Sequence, residues 1–171
     1  MDAYHQQALA ELRDWQKEML GRPSFFNKVA KRMQDKVNSW IPEKVHKAVT
    51  TAIKQMIRAV LFGAGYTTGE RNEDLGFEAR EQLVEEKIRF YQTTAAVEGG
   101  VTGAGGFLMG LVDFPVLLAL KIKLLFEIAA IYKMDVDDYK ERVYLLHIFE
   151  LSFSSHSHRR AVYLKMIDWA E

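Results

Sequence analysis

The sequence contains no cysteine, which removes disulfide frameworks and thiolate chemistry and suits a reducing compartment. Proline is scarce, with Pro23, Pro42 and Pro115 the only examples. Outside one stretch glycine is sparse too, so nothing reads as a linker or a second domain. The amino terminus, MDAYHQQALAELRDWQ, has neither a basic head nor an apolar run. It is not a signal peptide, and a cytoplasmic location is the expectation. Net charge is also absent, with 23 bases against 23 acids. That balance, with no interleaving of aromatic and basic residues along the cationic helix described below, argues against a nucleic-acid partner.

The balance hides an asymmetry. Residues 22–62 carry nine Lys/Arg against two acids, and residues 66–98 carry eight acids against four bases. Either the first region meets an anionic partner or the two regions face one another.

What is present is helical periodicity. Tyr4, Ala8, Leu12, Trp15 and Met19 recur at helical spacing over residues 2–20, and Gly21 and Pro23 end that helix. A second helix is expected over Ser24–Ile41. Its apolar arc holds Phe25, Phe26, Val29, Ala30, Met33, Val37, Trp40 and Ile41. Lys28 and Lys31 lie on the other side, with Arg32 and Lys36 near the seam. Aromatics flanked by bases suit a helix lying in a membrane interface, and suit equally an arc packed in the core with its bases solvated. Pro42 opens a third helix, where its missing N–H is no loss. That helix sets a wide apolar face against a stripe of Lys47, Lys54 and Arg58, and ends at Gly63 and Gly65. The stripe could meet lipid phosphates or simply be wet. Residues 66–76 read as a loop. A fourth helix, from about Phe77 to Val97, puts Val84, Ile88, Tyr91 and Ala95 on one face.

The stretch from Ala95 to Lys133 organises the rest. Between Gly99 and Leu120 the one charged side chain is Asp113, and six of the eleven glycines (Gly99, Gly100, Gly103, Gly105, Gly106, Gly110) fall in its first half. Thr102, Gly106 and Gly110 form one small-residue row, and Gly99 with Gly103 a second, so another helix can approach at backbone distance. Glycine costs a helix about 1 kcal/mol relative to alanine, so this cluster needs a compensating contact, either a packed helix or a ligand against the backbone. The dinucleotide fingerprint fails, because Leu108 stands where a glycine is required. From Gly99 to Val112 is about 21 Å of helix, short of the ~30 Å hydrocarbon core. A hairpin turning at Val112-Asp113-Phe114-Pro115 is therefore expected, buried in the fold or inserted in one leaflet. Asp113 reads as a helix N-cap or, in a functional reading, as a proton relay.

Met134-Asp135-Val136-Asp137-Asp138 lacks the spacing of a calcium loop, and Asp135-x-x-Asp138 reads as a cap for a helix over about Val136–Phe153. That helix is expected to bury Val143, Leu146, Phe149 and Phe153. The break at residues 152–155 precedes a last helix with Val162, Met166 and Trp169. His156 and His158 are two apart and face different ways, which disfavours a metal site and suits solvated helix-start residues. No hydrolase motif is present. No cofactor, metal or catalytic residue is expected.

The segments Glu98–Gly106 and Gly110-Leu111-Val112-Asp113-Phe114-Pro115 resemble the EcsC family, as do Asp137–Arg142, Phe153-Ser154-Ser155, Ile41–His46 and Ala59–Gly63. The resemblance implies a protein acting near the inner face of the bacterial membrane, linked to an ABC-type transporter. Members of the family continue with a further apolar, glycine-containing segment, so it also implies a shortened form. The resulting expectation is all-α: a single-domain bundle of about six helices around a central Gly-rich hairpin. Its function would be that of a non-enzymatic, peripheral membrane-associated accessory protein. Phe25, Phe26 and Trp40 would contact lipid, while Lys28, Lys31, Arg32 and Lys36 meet anionic head groups. Gly99, Gly103, Gly106, Gly110, Asp113 and Pro115 would serve hairpin packing or a ligand. A soluble helical module, binding a partner protein or an apolar small ligand in a pocket beside Gly103–Gly110, is the competing reading. An enzyme pairing Asp113 with His147 or His156 is a third.

Overall fold

The computed structural model describes residues 3–21, 43–62, 75–103 and 114–170, with side chains for all of these except 97–103, 156–157 and 170. The described residues form six α-helices and no strand. They are α1 (Ala3–Leu20), α2 (Glu43–Leu61), α3 (Phe77–Gly103), α4 (Phe114–Ile131), α5 (Tyr139–Phe153) and α6 (His156–Ile167), followed by a 3-10 turn at Asp168–Ala170. The second expected helix, over Ser24–Ile41, lies outside the described residues. So do Gly106, Gly110 and Asp113. Packing divides the chain into two compact units, Ile41–Leu146 and Met1–Trp40 with His147–Glu171.

The first of these units is built on α4. Leu118, Ile122, Phe126, Ala129 and Ala130 are buried, and the row Leu118–Ile122–Phe126–Ala130 steps by four residues. Helix α3 packs along it and presents Tyr91, with Val84 and Ile88 half-buried as their spacing predicts. Helix α2 lies against α4 as well, burying Met56 and Val60 while Lys47, Lys54 and Arg58 stay exposed. Among the described residues no helix is long and apolar enough to cross a membrane. Lys121, Lys123 and Glu127 interrupt α4.

Three boundaries differ from expectation. Helix α3 runs unbroken through Gly99 to Gly103, where a stop near Val97 and a separate arm were expected. An established helix extends one hydrogen bond per residue, so the glycines weaken its last turns without ending it. Helix α4 closes with Met134 N–H donating to the Ala129 carbonyl and Lys133 N–H to Ala130, both at 3.0 Å. This Schellman arrangement puts Lys133 at φ 64°, a position usually given to glycine. Helix α5 starts at Tyr139 instead of Val136. The side chains of Asp135 and Asp138 each accept a backbone N–H two residues on, from Asp137 at 3.1 Å and Lys140 at 2.7 Å. These short-range bonds hold residues 136–138 in a turn, and Asp138 caps the helix.

The other unit joins α1, the end of α5 and α6 through Met19, Leu151, Val162 and Tyr163. Trp15 meets the Tyr163 ring edge-on, centroids 5.3 Å apart. The face expected for α5 is corrected here. Its buried residues are Leu145 and Leu151, with Val143, Leu146 and Phe149 half-buried and Phe153 55% exposed. A helix with partners on more than one side has no single buried stripe, so periodicity alone misplaces it.

Removing the Ile122 side chain beyond Cβ leaves a cavity on the buried face of α4. Ile122→Ala is expected to cost about 3 kcal/mol in urea unfolding. Phe62→Ser, at a residue 86% exposed, should change it by less than about 0.5 kcal/mol.

Candidate functional site

The starts of α2 and α4 diverge enough to leave a cleft of about 360 Å³. Val45, Ala48, Val49 and Ala52 line it from α2, Phe114 and Pro115 from α4, and Lys44 is its one charged lining residue. The side chains on α2 recur at three and four residues, so one face supplies the wall. Pro115 occupies the first turn of α4, where a missing N–H costs nothing. Exposed Lys47 lies on the other side of α2, 2.8 Å from Glu43.

Two polar knots lie elsewhere on the same helices and hold the scaffold together. In the first, Tyr91 of α3 donates its hydroxyl to Glu127 Oε1 of α4 at 2.7 Å. Lys87 lies 2.9 Å from Oε2, an ion pair angled poorly for a hydrogen bond. Burial pushes the Glu127 carboxyl up. The hydrogen bond from Tyr91 and the charges of Lys87 and Lys123 outweigh that, so the carboxyl sits below its usual range. The Tyr91 phenol is pushed well up, first by burial and then by Glu127.

In the second knot the Arg142 guanidinium reaches back over the turn before α5. Its Nη1 donates to the carbonyls of Asp137 at 2.6 Å and Val136 at 3.3 Å. Its Nη2 crosses to the Leu61 carbonyl, the last of α2, at 3.3 Å. A cation at the negative end of a helix is favourable, and the planar fork lets one side chain serve two segments. Arg142 thereby joins Ala59–Gly63 to Asp137–Arg142, two of the stretches that carry the family resemblance.

Of the expected site residues, Pro115 lines the cleft, and Gly99 and Gly103 fall in the last turns of α3. Phe25, Phe26, Lys28, Lys31, Arg32, Lys36 and Trp40 lie outside the described residues, as do Gly106, Gly110 and Asp113. The pocket expected beside Gly103–Gly110 falls on residues that, past Gly103, lie outside the described ones, and the cleft beside Phe114 and Pro115 is a different place. His158 is an exposed residue of the first turn of α6, as its position suggests, and it also meets Glu150, which His147 faces from within α5. Sequence reasoning passed over Glu150. Its signal was the three-residue spacing from His147, which puts both on one helix face. No group of His, Cys, Asp and Glu among the described residues is arranged to hold a metal ion.

The EcsC protein family profile matches residues 6–171. The chain belongs to the EcsC family. It is 38% identical over 166 residues to Protein EcsC of Bacillus subtilis (strain 168), covering 96% of this chain and 70% of that protein. It is 26% identical over 179 residues to the Uncharacterized protein YdbA of the same organism, covering 92% of this chain and 65% of the other. No solved structure matches. For this EcsC-family chain the helical architecture is therefore read from its own packing.

Both knots make measurable contributions. Arg142→Lys keeps the charge and loses the fork, with an expected cost of about 1–2 kcal/mol in urea unfolding, and Arg142→Ala costs more. Because the Glu127 carboxyl is depressed in the fold, its contribution is present above the ordinary carboxylate value and lost as pH falls through the lower, folded value. Unfolding profiles measured between about pH 6 and 3 should fall less steeply in Glu127→Gln than in wild type.

Proposed function

We propose that this protein is a non-enzymatic, peripheral membrane-associated accessory factor, acting at an anionic lipid surface and regulating an ABC-type transporter. The observation that carries the reading is the apolar cleft at the starts of α2 and α4 with Lys44 on its wall. Apolar surface beside cationic side chains is the combination that partitions into a lipid interface, each Lys or Arg near an anionic surface giving about 1 kcal/mol. Exposed Lys54 and Arg58 extend the positive charge along α2. In sequence this helix follows the segment whose arc holds Phe25, Phe26 and Trp40 beside Lys28, Lys31, Arg32 and Lys36. The absence of a span-length apolar helix among the described residues fits attachment from one side. The transporter link rests on the family resemblance.

The concavity of the same cleft favours a second reading, a helical module that takes an apolar small ligand. The two readings separate experimentally. The membrane reading expects co-sedimentation with vesicles of phosphatidylglycerol but not phosphatidylcholine. That binding should be lost at about 0.5 M salt, where screening shortens to a few ångströms, and in Lys44→Glu with Lys54→Glu. Equal binding to both vesicle types, or none, would sink it. The ligand reading expects a fluorescent fatty-acid analogue to bind without vesicles, and Val49→Trp to abolish that binding.

A further inference from the structure

The outer sides of α2 and α3, both in the unit Ile41–Leu146, carry opposite charge with the same spacing. On α2 the row Lys47, Lys54 and Arg58 lies opposite the buried Met56 and Val60, and all three are exposed. One turn beyond Arg58 stands Phe62, 86% exposed, its N–H still donating to the Arg58 carbonyl at 2.9 Å. On α3, exposed Glu78, Glu85 and Glu86 and half-buried Glu81 gather on one side, with Arg89 as the base among them. Arg80 and Lys87 fall on the other flank, where Lys87 meets Glu127. One turn beyond Glu86 stands Phe90, 64% exposed. Each charged row thus ends in an uncovered phenylalanine four residues on.

These charges are not neutralised across the two helices. Lys47 pairs with Glu43 at 2.8 Å and Glu85 with Arg89 at 3.1 Å, each within its own helix. Among the described residues Lys54, Arg58, Glu78 and Glu86 make no ion pair. Both helices pack along α4 and scarcely touch each other, so α4 keeps the basic row of a chain apart from its own acidic row.

We propose that α2 of one chain docks in parallel on α3 of a second copy, with Arg58 set against Glu86 and Phe62 against Phe90. A step of four residues is about 6 Å along either helix, so the rings meet when the charges do. Lys54 then lies one turn back, beside Gln82 and Glu85. Opposite charges steer the encounter and fix its register, and the paired rings supply its apolar centre. Because the two rows belong to different helices, the contact is head-to-tail, and the end copies each keep one row open for a further chain. The inference does not rest on the lipid reading. An anionic surface would compete for Lys54 and Arg58, so the contact is tested without vesicles.

Sedimentation equilibrium of the full chain provides the test. In about 50 mM salt the average mass is expected to exceed that of a single chain at protein concentrations of about 0.1–1 mM, the range of a small charged contact. Association should weaken at least about tenfold in 0.5 M salt. Lys54→Glu with Arg58→Glu should abolish it, as should Glu78→Lys with Glu86→Lys. Mixed in equal amounts, these two variants should associate again, because each offers the other a complementary row. Phe62→Ser, which leaves urea unfolding nearly unchanged, should weaken association about tenfold. A wild-type chain that stays monomeric in low salt, or association indifferent to salt or to Phe62→Ser, would overturn the contact. So would reversed variants that unfold in urea like wild type yet fail to combine.

Discussion

An eighteen-residue helix as apolar as α4 must bury its main stripe, and in the unit Ile41–Leu146 its neighbours are α2 and α3. Ile122 is fully buried, with Leu118 and Phe126 a turn to either side. The burial of such residues is worth about 1.5–3 kcal/mol each and is the dominant favourable term in holding the three helices together. Glu127 is the charged residue of α4 whose side chain is largely covered, and it is met by Tyr91 and Lys87 from α3. Leaving that carboxylate without partners would cost more than the pair contributes, which makes the knot a condition of packing α3 there.

Arg142 solves a related problem at the end of α2. The last carbonyls of any helix lack partners within it, and Leu61 finds one in a guanidinium that also ties down the turn leading into α5. Segments far apart in the chain are thereby fixed by one side chain. The acids just before α5 cap and turn the backbone, and Arg142 reaches the neighbouring helix.

The function proposed for the chain follows from where burial stops. At the first turns of α2 and α4 the apolar faces separate, and what remains is a cleft with a lysine on its wall. The small residues Ala48 and Ala52 help to make that space, since larger side chains there would close it.

Helix positions were legible from periodicity because an amphipathic pattern of three and four residues needs no knowledge of neighbours. The inner faces of α2 and α3 and the buried Val162 of α6 follow from it. That acids open α5 was legible for the same reason, although the cap proved to be Asp138 and not Asp135. The tertiary structure decided what depended on distant partners. Leu145 and Leu151 displaced Val143 and Phe153 as the buried residues of α5, because that helix packs on more than one side. Lys133 took a left-handed conformation that nothing in Tyr132-Lys133-Met134 announces. Arg142 found Leu61 eighty-one residues away, and Glu150 found His158 across the interruption between α5 and α6. Local spacing is written in the chain, whereas a hydrogen bond between separate helices exists only once burial has brought them together.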